Sequence, residues 1–375
     1  MTDQQAYRIM ISGGGTGGHI FPALAIADAL KSSGRAIKFL FVGAKGRMEM
    51  EKVPAAGYEI VGLPVAGIQR KFTLSNILIP FRLMASLFKA VLLVFRFKPD
   101  IAVGTGGYAS GPVLFIASLM RVPTLIQEQN SYAGITNKIL ARRAIKICVA
   151  YPGMDKFFPA DKVHYTGNPV RAEITGRPVS TAEARSFFKL DPGKKTILII
   201  GGSLGARTIN NTLKDTYREL LSAGYQLIWQ TGKIYHTEIM TSIGPGKVDG
   251  LCLLEFIREM DKAYAVADVI ISRAGANSIS ELCMAGKPVI LVPSPNVAED
   301  HQTSNAMALS SAGAAILVKD ADAPAILLTA VLELIRDEEK CRSLSTNIRA
   351  MAKPDATTDI TNDIWEILDQ KRNNK

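Results

Sequence analysis

The sequence predicts an α/β protein built from two doubly wound parallel-sheet domains. Three observations carry that expectation: apolar strand-like runs alternate with helical runs in two successive series, a glycine-rich turn opens each series, and a proline-punctuated stretch divides them. Alternation of this kind calls for parallel sheets covered on both faces, because parallel strands need long crossover connections. At 375 residues the chain has room for about two domains of ~100–200 residues each.

The first series comprises YRIMIS, IKFLFVG, YEIVGL, DIAVGTGG, PTLIQEQ and IKICVAY. Its opening turn, GGGTGGH, leads into a helix that tolerates Pro22 in its first turn and stops near Lys31 and Gly34. Glycine admits positive φ and lets a ligand approach bare N–H groups, and a helix start carries roughly half a positive charge, so the turn suits an oxyanion. Gly13, Gly15 and Gly18 match the spacing of a dinucleotide fingerprint. The acidic residue that would hold a ribose at the end of the next strand is missing, since that strand ends in Gly43 and Ala44 and Glu49 comes late. A nicotinamide oxidoreductase is therefore the runner-up.

Asn168-Pro169 and Arg177-Pro178 oppose helix and place a linker near residues 167–178. The second series follows: KTILIIGG, YQLIWQTG, LCLLEFI, DVIISRAG, PVILVPSP and AAILV. It opens like the first, with Gly201, Gly202 and Gly205 in GGSLGA. A third glycine turn, GTGGYASGP, reads equally as a ligand loop or as a tight strand-to-helix connection. Open parallel sheets bind ligands beyond the carboxyl ends of their strands, so the two opening loops are expected on one cleft. The expected domains are residues 1–168 and 169–353, with a terminal amphipathic helix over 354–375 that carries Ile364 and Trp365.

Hydrophobic residues make up 47% of the chain and aromatics 7%, a composition of aliphatic interiors. Forty-four Lys and Arg against 34 Asp and Glu leave a net charge of +10, which suits an anionic partner. Nucleic acid is not expected, because no motif of nucleic-acid readers is visible. Cys148, Cys252, Cys283 and Cys341 never take metal-ligand spacing and read as reduced core residues. With no His or Cys cluster, a zinc site is not expected, and no cofactor is called for. The first residues lack a basic and then apolar leader, which predicts a cytoplasmic setting.

GGGTGGHIFPAL, GTGGYASGP, QEQNSYAGITNK, GNPVR, GGSLGA, SRAGANSISE and EDHQTSNA occur in the order and spacing of the MurG transferases, a family of bacterial cell-wall glycosyltransferases that the chain resembles over essentially its whole length. The resemblance implies a GT-B fold, with two Rossmann-like domains facing across a cleft and a last helix that crosses back to the first domain. It implies transfer of N-acetylglucosamine from UDP-N-acetylglucosamine to a membrane-bound undecaprenyl-diphosphate-muramyl-pentapeptide, with inversion at the anomeric carbon. UDP-N-acetylglucosamine epimerases and glycolipid synthases of the same fold are the near rivals, and a noncatalytic nucleotide binder at the membrane surface is a third class.

By the same resemblance the second domain binds the donor. Ser203 and Arg171 would hold the diphosphate without a metal, and the backbone at Ile257 would meet the uracil. Ala276, Asn277, Ser278, Ile279, Ser280 and Glu281 would line the donor, Glu281 taking the ribose hydroxyls and Gln302 the sugar, while Asn130 would reach over from the first domain. Asn277 and Ser278 stand where the family more often has Leu and Thr. Structural alternatives exist: Ser278 and Glu281 have capping-box spacing, Gln302 could be a solvated helix-end residue, and Arg171 a surface ion pairer. Asp320 and Asp322 satisfy the Asp-x-Asp pattern of metal-dependent transferases, but they sit between a strand end and a helix start and are expected to cap that helix.

For the acceptor side, Thr16, Gly17 and Gly18 are expected to touch substrate and His19 to act as general base. A histidine at a helix start sits in a positive field that disfavours the imidazolium and leaves a ring nitrogen able to accept a proton. Orienting an acceptor phosphate or capping the turn are its competing roles. His164 and His236 have no convincing partners in the sequence, and His301 reads as structural.

RKFTLSNILIPFRLMASLFKAVLLVFRFKPD is the most lipophilic stretch, but Pro80, Arg82 and Lys89 interrupt the ~20 apolar residues a membrane span needs. Arg82, Lys89 and Arg96 recur every seventh position and would form a basic stripe on an apolar helix. Either this helix covers a sheet, or it makes a peripheral contact with an anionic membrane. The resemblance favours the membrane contact, on the cytoplasmic face.

Overall fold

In the computed structural model, which describes residues 6–65, 79–170, 174, 179–202, 204–297 and 300–373, every strand pairing is parallel. The chain divides into two compact units, Met1–Val170 with Asp355–Lys375, and Arg171–Pro354.

The first unit holds strands β1 (Tyr7–Gly13), β2 (Ile37–Ala44), β3 (Ile60–Leu63), β4 (Ile101–Gly106), β5 (Thr124–Glu128), β6 (Lys146–Val149) and β7 (Val163–Tyr165) in the order β3-β2-β1-β4-β5-β6-β7. Helices α1 (Gly17–Lys31), α2 (Glu49–Ala55), α3 (Ile79–Phe97), α4 (Ser110–Leu119) and α5 (Ile135–Ala141) connect them. β7 is a correction to the sequence reading, which began its linker beside this segment. Three residues with only an edge position to fill, pairing Ile147 with Val163, carry too little apolar pattern to be read as a strand. Pro22 likewise falls in the second turn of α1, because the helix starts at Gly17. Strands buried on both faces read as near-continuous apolar runs, as Ile101–Val103 of β4 does.

The second unit holds β8 (Thr196–Ile200), β9 (Gln226–Gln230), β10 (Leu251–Leu254), β11 (Val269–Ser272), β12 (Val289–Leu291) and β13 (Ile316–Leu317), in the order β10-β9-β8-β11-β12-β13. Its helices are α6 (Thr181–Phe188), α7 (Arg207–Ser222), α8 (His236–Ile243), α9 (Met260–Val266), α10 (Ala276–Ala285), α11 (His301–Ser311), α12 (Ala323–Arg336) and α13 (Glu338–Ala350). The core is aliphatic around Trp229, whose indole N–H donates to Asn210 Oδ1 at 3.0 Å and so is buried without an orphaned donor.

The last helix, α14 (Ala356–Asn373), belongs to the first unit and is not a cap on the second sheet. It buries Ile360, Ile364 and Ile367 in a cluster with Ile9, Ile26 and Leu125, and Trp365 meets Tyr7 edge-on at 5.3 Å. Lys146 Nζ donates to Asp363 Oδ1 and to Glu366 Oε2, each at 2.6 Å, pinning α14 to β6. His164, for which the sequence offered no partner, has its Nδ1 2.6 Å from Asp363 Oδ2, and His236 Nδ1 lies 2.9 Å from Thr231 Oγ1. Both corrections have one cause: the partners come from other elements of the fold. Of the four cysteines, all free, Cys148 and Cys283 are buried and Cys252 and Cys341 only half-buried. Burial pushes the Cys283 thiol up to about 12.

Candidate functional site

In each sheet the strand order reverses once, between β1 and β4 and between β8 and β11, and open parallel sheets take ligands at such points, beyond the carboxyl ends of the strands. The GGGTGGH turn follows β1 and the GTGGY turn follows β4, so the first and third glycine loops are neighbours. Gly14 N donates to Gly106 O at 3.3 Å, and Thr105 Oγ1 donates to His19 O at 2.8 Å.

Much of the space that these glycines leave is filled by the protein itself. Glu49, fully buried at the start of α2, accepts from Ala44 N at 2.9 Å and from Gly15 N at 3.0 Å. A Cβ on Gly14 or Gly43 would run into this carboxylate side chain, and one on Gly13 would run into Thr105 Oγ1. Gly106, at φ +96°, leaves room for the imidazole: an added Cβ there would lie 2.8 Å from His19 Nδ1. The third loop is thus the seat of His19.

His19 stands in the first turn of α1, after the N-cap residue Thr16. Its Nδ1 lies 2.9 Å from both Thr105 O and Gln129 Oε1, so Nε2 is the nitrogen left for a substrate. Thr16 makes no side-chain cap, and its carbonyl accepts from His19 N and Ile20 N; Gly17 and Gly18 continue the helix start. Asn130 donates from N and Nδ2 to Glu128 Oε1, at 3.1 and 3.2 Å. The same carboxylate accepts on Oε2 from Gly134 N at 3.1 Å and Asn137 Nδ2 at 2.8 Å, which ties Asn130 to the start of α5.

The second unit carries a cavity of about 500 Å³ at its own reversal point. Gly201, Gly202 and Gly205 line it, as do Arg207 and Thr208 in the first turn of α7, Arg273 after β11, Gly275 and Ser278 at the start of α10, and Gln302 of α11. The N-cap residues of α7 and α10, Ala206 and Gly275, make no side-chain caps, so two helix starts direct positive field at the cavity unscreened by a capping oxygen. Gly205, at φ +89°, brings the turn so close to β9 that an added Cβ would meet the Thr231 carbonyl. Gln230, buried at the end of β9, braces the loop: its Nε2 donates to Gly202 O and its Oε1 accepts from Ile257 N, both at 3.0 Å.

The predicted donor residues divide. Ser278 and Gln302 reach the cavity wall, where Gln302 Oε1 accepts from Ser294 N at 2.8 Å. Ala276, Asn277, Ile279, Ser280 and Glu281 lie along α10 off that wall, with Ile279 in the core. Tyr264 OH donates to Glu281 Oε2 at 3.2 Å, and because α10 is capped by Gly275, Ser278 and Glu281 form no capping box. The Ile257 N–H is spent on Gln230. Arg171 and Ser203 lie outside the described residues.

Sequence reasoning missed Arg273 and misjudged Asp320. Asp320 caps no helix: it pairs with Arg273 Nη1 and accepts from Thr208 Oγ1 at 2.8 Å, while Asp322 sits at the N-cap of α12 without a side-chain cap bond. Arg273 also donates to Val292 O at 2.9 Å, which fixes its guanidinium on the cavity wall. Its place directly after the strand at the reversal point was the available signal. Among the described residues no group of three or more His, Cys, Asp or Glu side chains is placed to hold a metal ion.

The fold and the cavity are those of a glycosyltransferase: residues 9–149 match the glycosyltransferase family 28 N-terminal domain and residues 196–360 the family 28 C-terminal domain. A UDP-N-acetylglucosamine--N-acetylmuramyl-(pentapeptide) pyrophosphoryl-undecaprenol N-acetylglucosamine transferase of Cytophaga hutchinsonii is 54% identical, over 99% of this chain and 100% of its own. A transferase of the same name from Phocaeicola vulgatus is 54% identical over 98% of each chain. The crystal structure of Acinetobacter baumannii MurG, 29% identical, superposes with a TM-score of 0.77 over 96% of this chain and 100% of that one. The chain belongs to family 28 and, within it, to the MurG family.

Proposed function

We propose that this chain is an inverting, UDP-N-acetylglucosamine-dependent hexosyltransferase that converts the undecaprenyl-diphosphate-muramyl-pentapeptide to its N-acetylglucosaminyl disaccharide in peptidoglycan synthesis. The observation that carries the proposal is 54% identity over nearly the full chain to transferases of that name. The nicotinamide alternative is not favoured, since the carboxylate nearest the first glycine loop, Glu49, is buried against backbone N–H groups and not offered to a ribose.

The donor diphosphate sits in the second-unit cavity, at the starts of α7 and α10, with Arg207 and Arg273 beside it and Ser203 and Arg171 completing the set. Charge that grows on the departing UDP meets donors already in place, which lowers the barrier without reorganisation. The Ile257 carbonyl accepts from the uracil N3–H, Glu281 shares its carboxylate between Tyr264 and the ribose, and Gln302 contacts the sugar. Thr16, Gly17 and Gly18 hold the acceptor. His19 Nε2 takes the proton of the acceptor hydroxyl as that oxygen attacks C1; the C1–O bond to UDP breaks and its electron pair leaves with the diphosphate.

The acceptor is lipid-linked, and α3 supplies a face for a peripheral contact with the cytoplasmic leaflet. Phe81, Met84, Phe88 and Phe95 are exposed at helical spacing, and Phe88 keeps 67% of its surface accessible. Ile135 and Ile139 of α5 are exposed as well. The basic stripe is modified: Lys89 Nζ donates to Gly62 O at 2.8 Å, so Lys89 is tied back while Arg96 is exposed. No helix of the described residues is long and apolar enough to cross a membrane, and residues 70–78 of the lipophilic stretch lie outside them. Incubation with labelled UDP-N-acetylglucosamine and a short-chain analogue of the muramyl lipid should yield a labelled disaccharide. Folded protein that forms none would overturn the proposal.

A further inference from the structure

The side-chain amide of Gln129 can sit in only one orientation. Its Nε2 donates to Thr105 O at 2.7 Å and Gln127 O at 3.0 Å, and it also meets Gln127 Oε1. All of these are oxygens, so the amide nitrogen belongs on that side and Oε1 on the other. The neighbours repeat the constraint. Gln127 Nε2 donates to Asn168 Oδ1 at 2.8 Å, and Asn168 Nδ2 donates to the backbone oxygen of Gln129 at 3.0 Å. Backbone carbonyls, which can only accept, therefore set the sense of the whole amide chain. Gln127, Gln129 and Asn168 are all buried, so water does not offer an alternative set of partners.

Gln129 Oε1 is left facing His19 Nδ1 at 2.9 Å, and the second neighbour of Nδ1, Thr105 O, is also an acceptor. A ring nitrogen between two acceptors must carry the proton. We infer that Gln129 is a positioning residue that sets the tautomer of His19, placing the proton on Nδ1 and the lone pair on Nε2. An uncharged amide suits this task. It orients the ring as a carboxylate would, without placing a negative charge beside it. The inference rests on the reading of His19 as the base, and its test separates the two.

The test is ¹⁵N NMR of the four histidines in the full chain, with His19 assigned through His19→Gln, beside steady-state kinetics. The wild type should show His19 protonated on Nδ1. Gln129→Met should populate the Nε2–H tautomer and lower kcat by about tenfold, part of the ~10²–10⁴-fold that a general base supplies, with the KM for UDP-N-acetylglucosamine unchanged. A wild-type His19 protonated on Nε2, or a Gln129→Met protein that is folded and keeps Nδ1–H in full, would overturn the inference, the latter by assigning the role to Thr105 O alone. A tautomer that shifts in Gln129→Met with kcat unmoved would uphold Gln129 as the setting residue and remove His19 as the base.

Discussion

The glycine loops after β1 and β8 are the same device in sequence but are braced by different side chains. Beneath the first lies a buried carboxylate, Glu49, which takes the N–H of Gly15. Beneath the second lies a neutral amide, Gln230, which binds a carbonyl of the loop, Gly202 O, and two arginines flank the cavity above it, one of them, Arg273, paired with Asp320 on the same wall. The Gly15 amide, already answered by an internal anion, is not left for a second one. The second loop, braced through its carbonyl, has no such anion against its amides, while the start of α1 is as free of a side-chain cap as those of α7 and α10. Two turns of one sequence pattern are thus braced from beneath by different chemistry, a carboxylate in the first unit and an amide in the second.

The sharpest way to break this contrast is at His19. His19→Ala should slow transfer by roughly 10²–10⁴-fold while the Kd for UDP-N-acetylglucosamine stays near wild type; donor binding lost in step with turnover would mean that both loops serve the donor. Glu49→Ala comes next. It orphans the N–H groups of Ala44 and Gly15 and opens a cavity, for a cost of roughly 3–5 kcal/mol in chemical denaturation. At temperatures where the variant is folded, calorimetry should find UDP affinity unchanged, and a large loss there would contradict the separation of roles.

The reciprocal change is Gln230→Leu, which strands Ile257 N–H and Gly202 O. The expected result is a rise in donor KM worth about 1–3 kcal/mol, with kcat at saturating donor little altered. The smallest effect belongs to a pair that joins α14 to the connection between α1 and β2. Arg35, hydrogen-bonded to Asp369 at 2.9 Å, holds that carboxyl below its ordinary range. A carboxylate with a depressed folded pKa contributes stability that is present above its unfolded pKa and lost as pH falls through the folded value. Because both side chains are more than a third exposed, the contribution should stay within about 0–1 kcal/mol. Thermal melts of Asp369→Asn and wild type should differ slightly at neutral pH and converge in acid, with transfer unaffected.

Legibility from sequence follows the range of the interaction. The strands buried on both faces and the helices between them were readable, because an unbroken apolar run or a helical repeat is a local signal. The edge strand β7 was not, since three residues with one neighbour need little pattern. Among site residues, His19 stood out beside glycines, and Ser278 came only with the family's motif. Arg273, Gln129 and Gln230 were hidden inside motifs already quoted, because nothing local distinguishes a polar residue that lines or braces a site from one that is solvated.

By itself, the chain's order of residues determined two parallel α/β units, the places where the backbone must turn on glycine, and the kinship of the whole with a transferase family. Those properties depend on periodicity, on φ, and on motif order along the chain. Only the tertiary structure decided what fills the space the glycines leave. Gly15 meets Glu49, His19 meets Gln129 and Arg273 meets Asp320 across separations of 34, 110 and 47 residues. Pairings of that kind are selected by shape and by the need to satisfy buried donors once the sheets have formed, and no local stretch of sequence carries them.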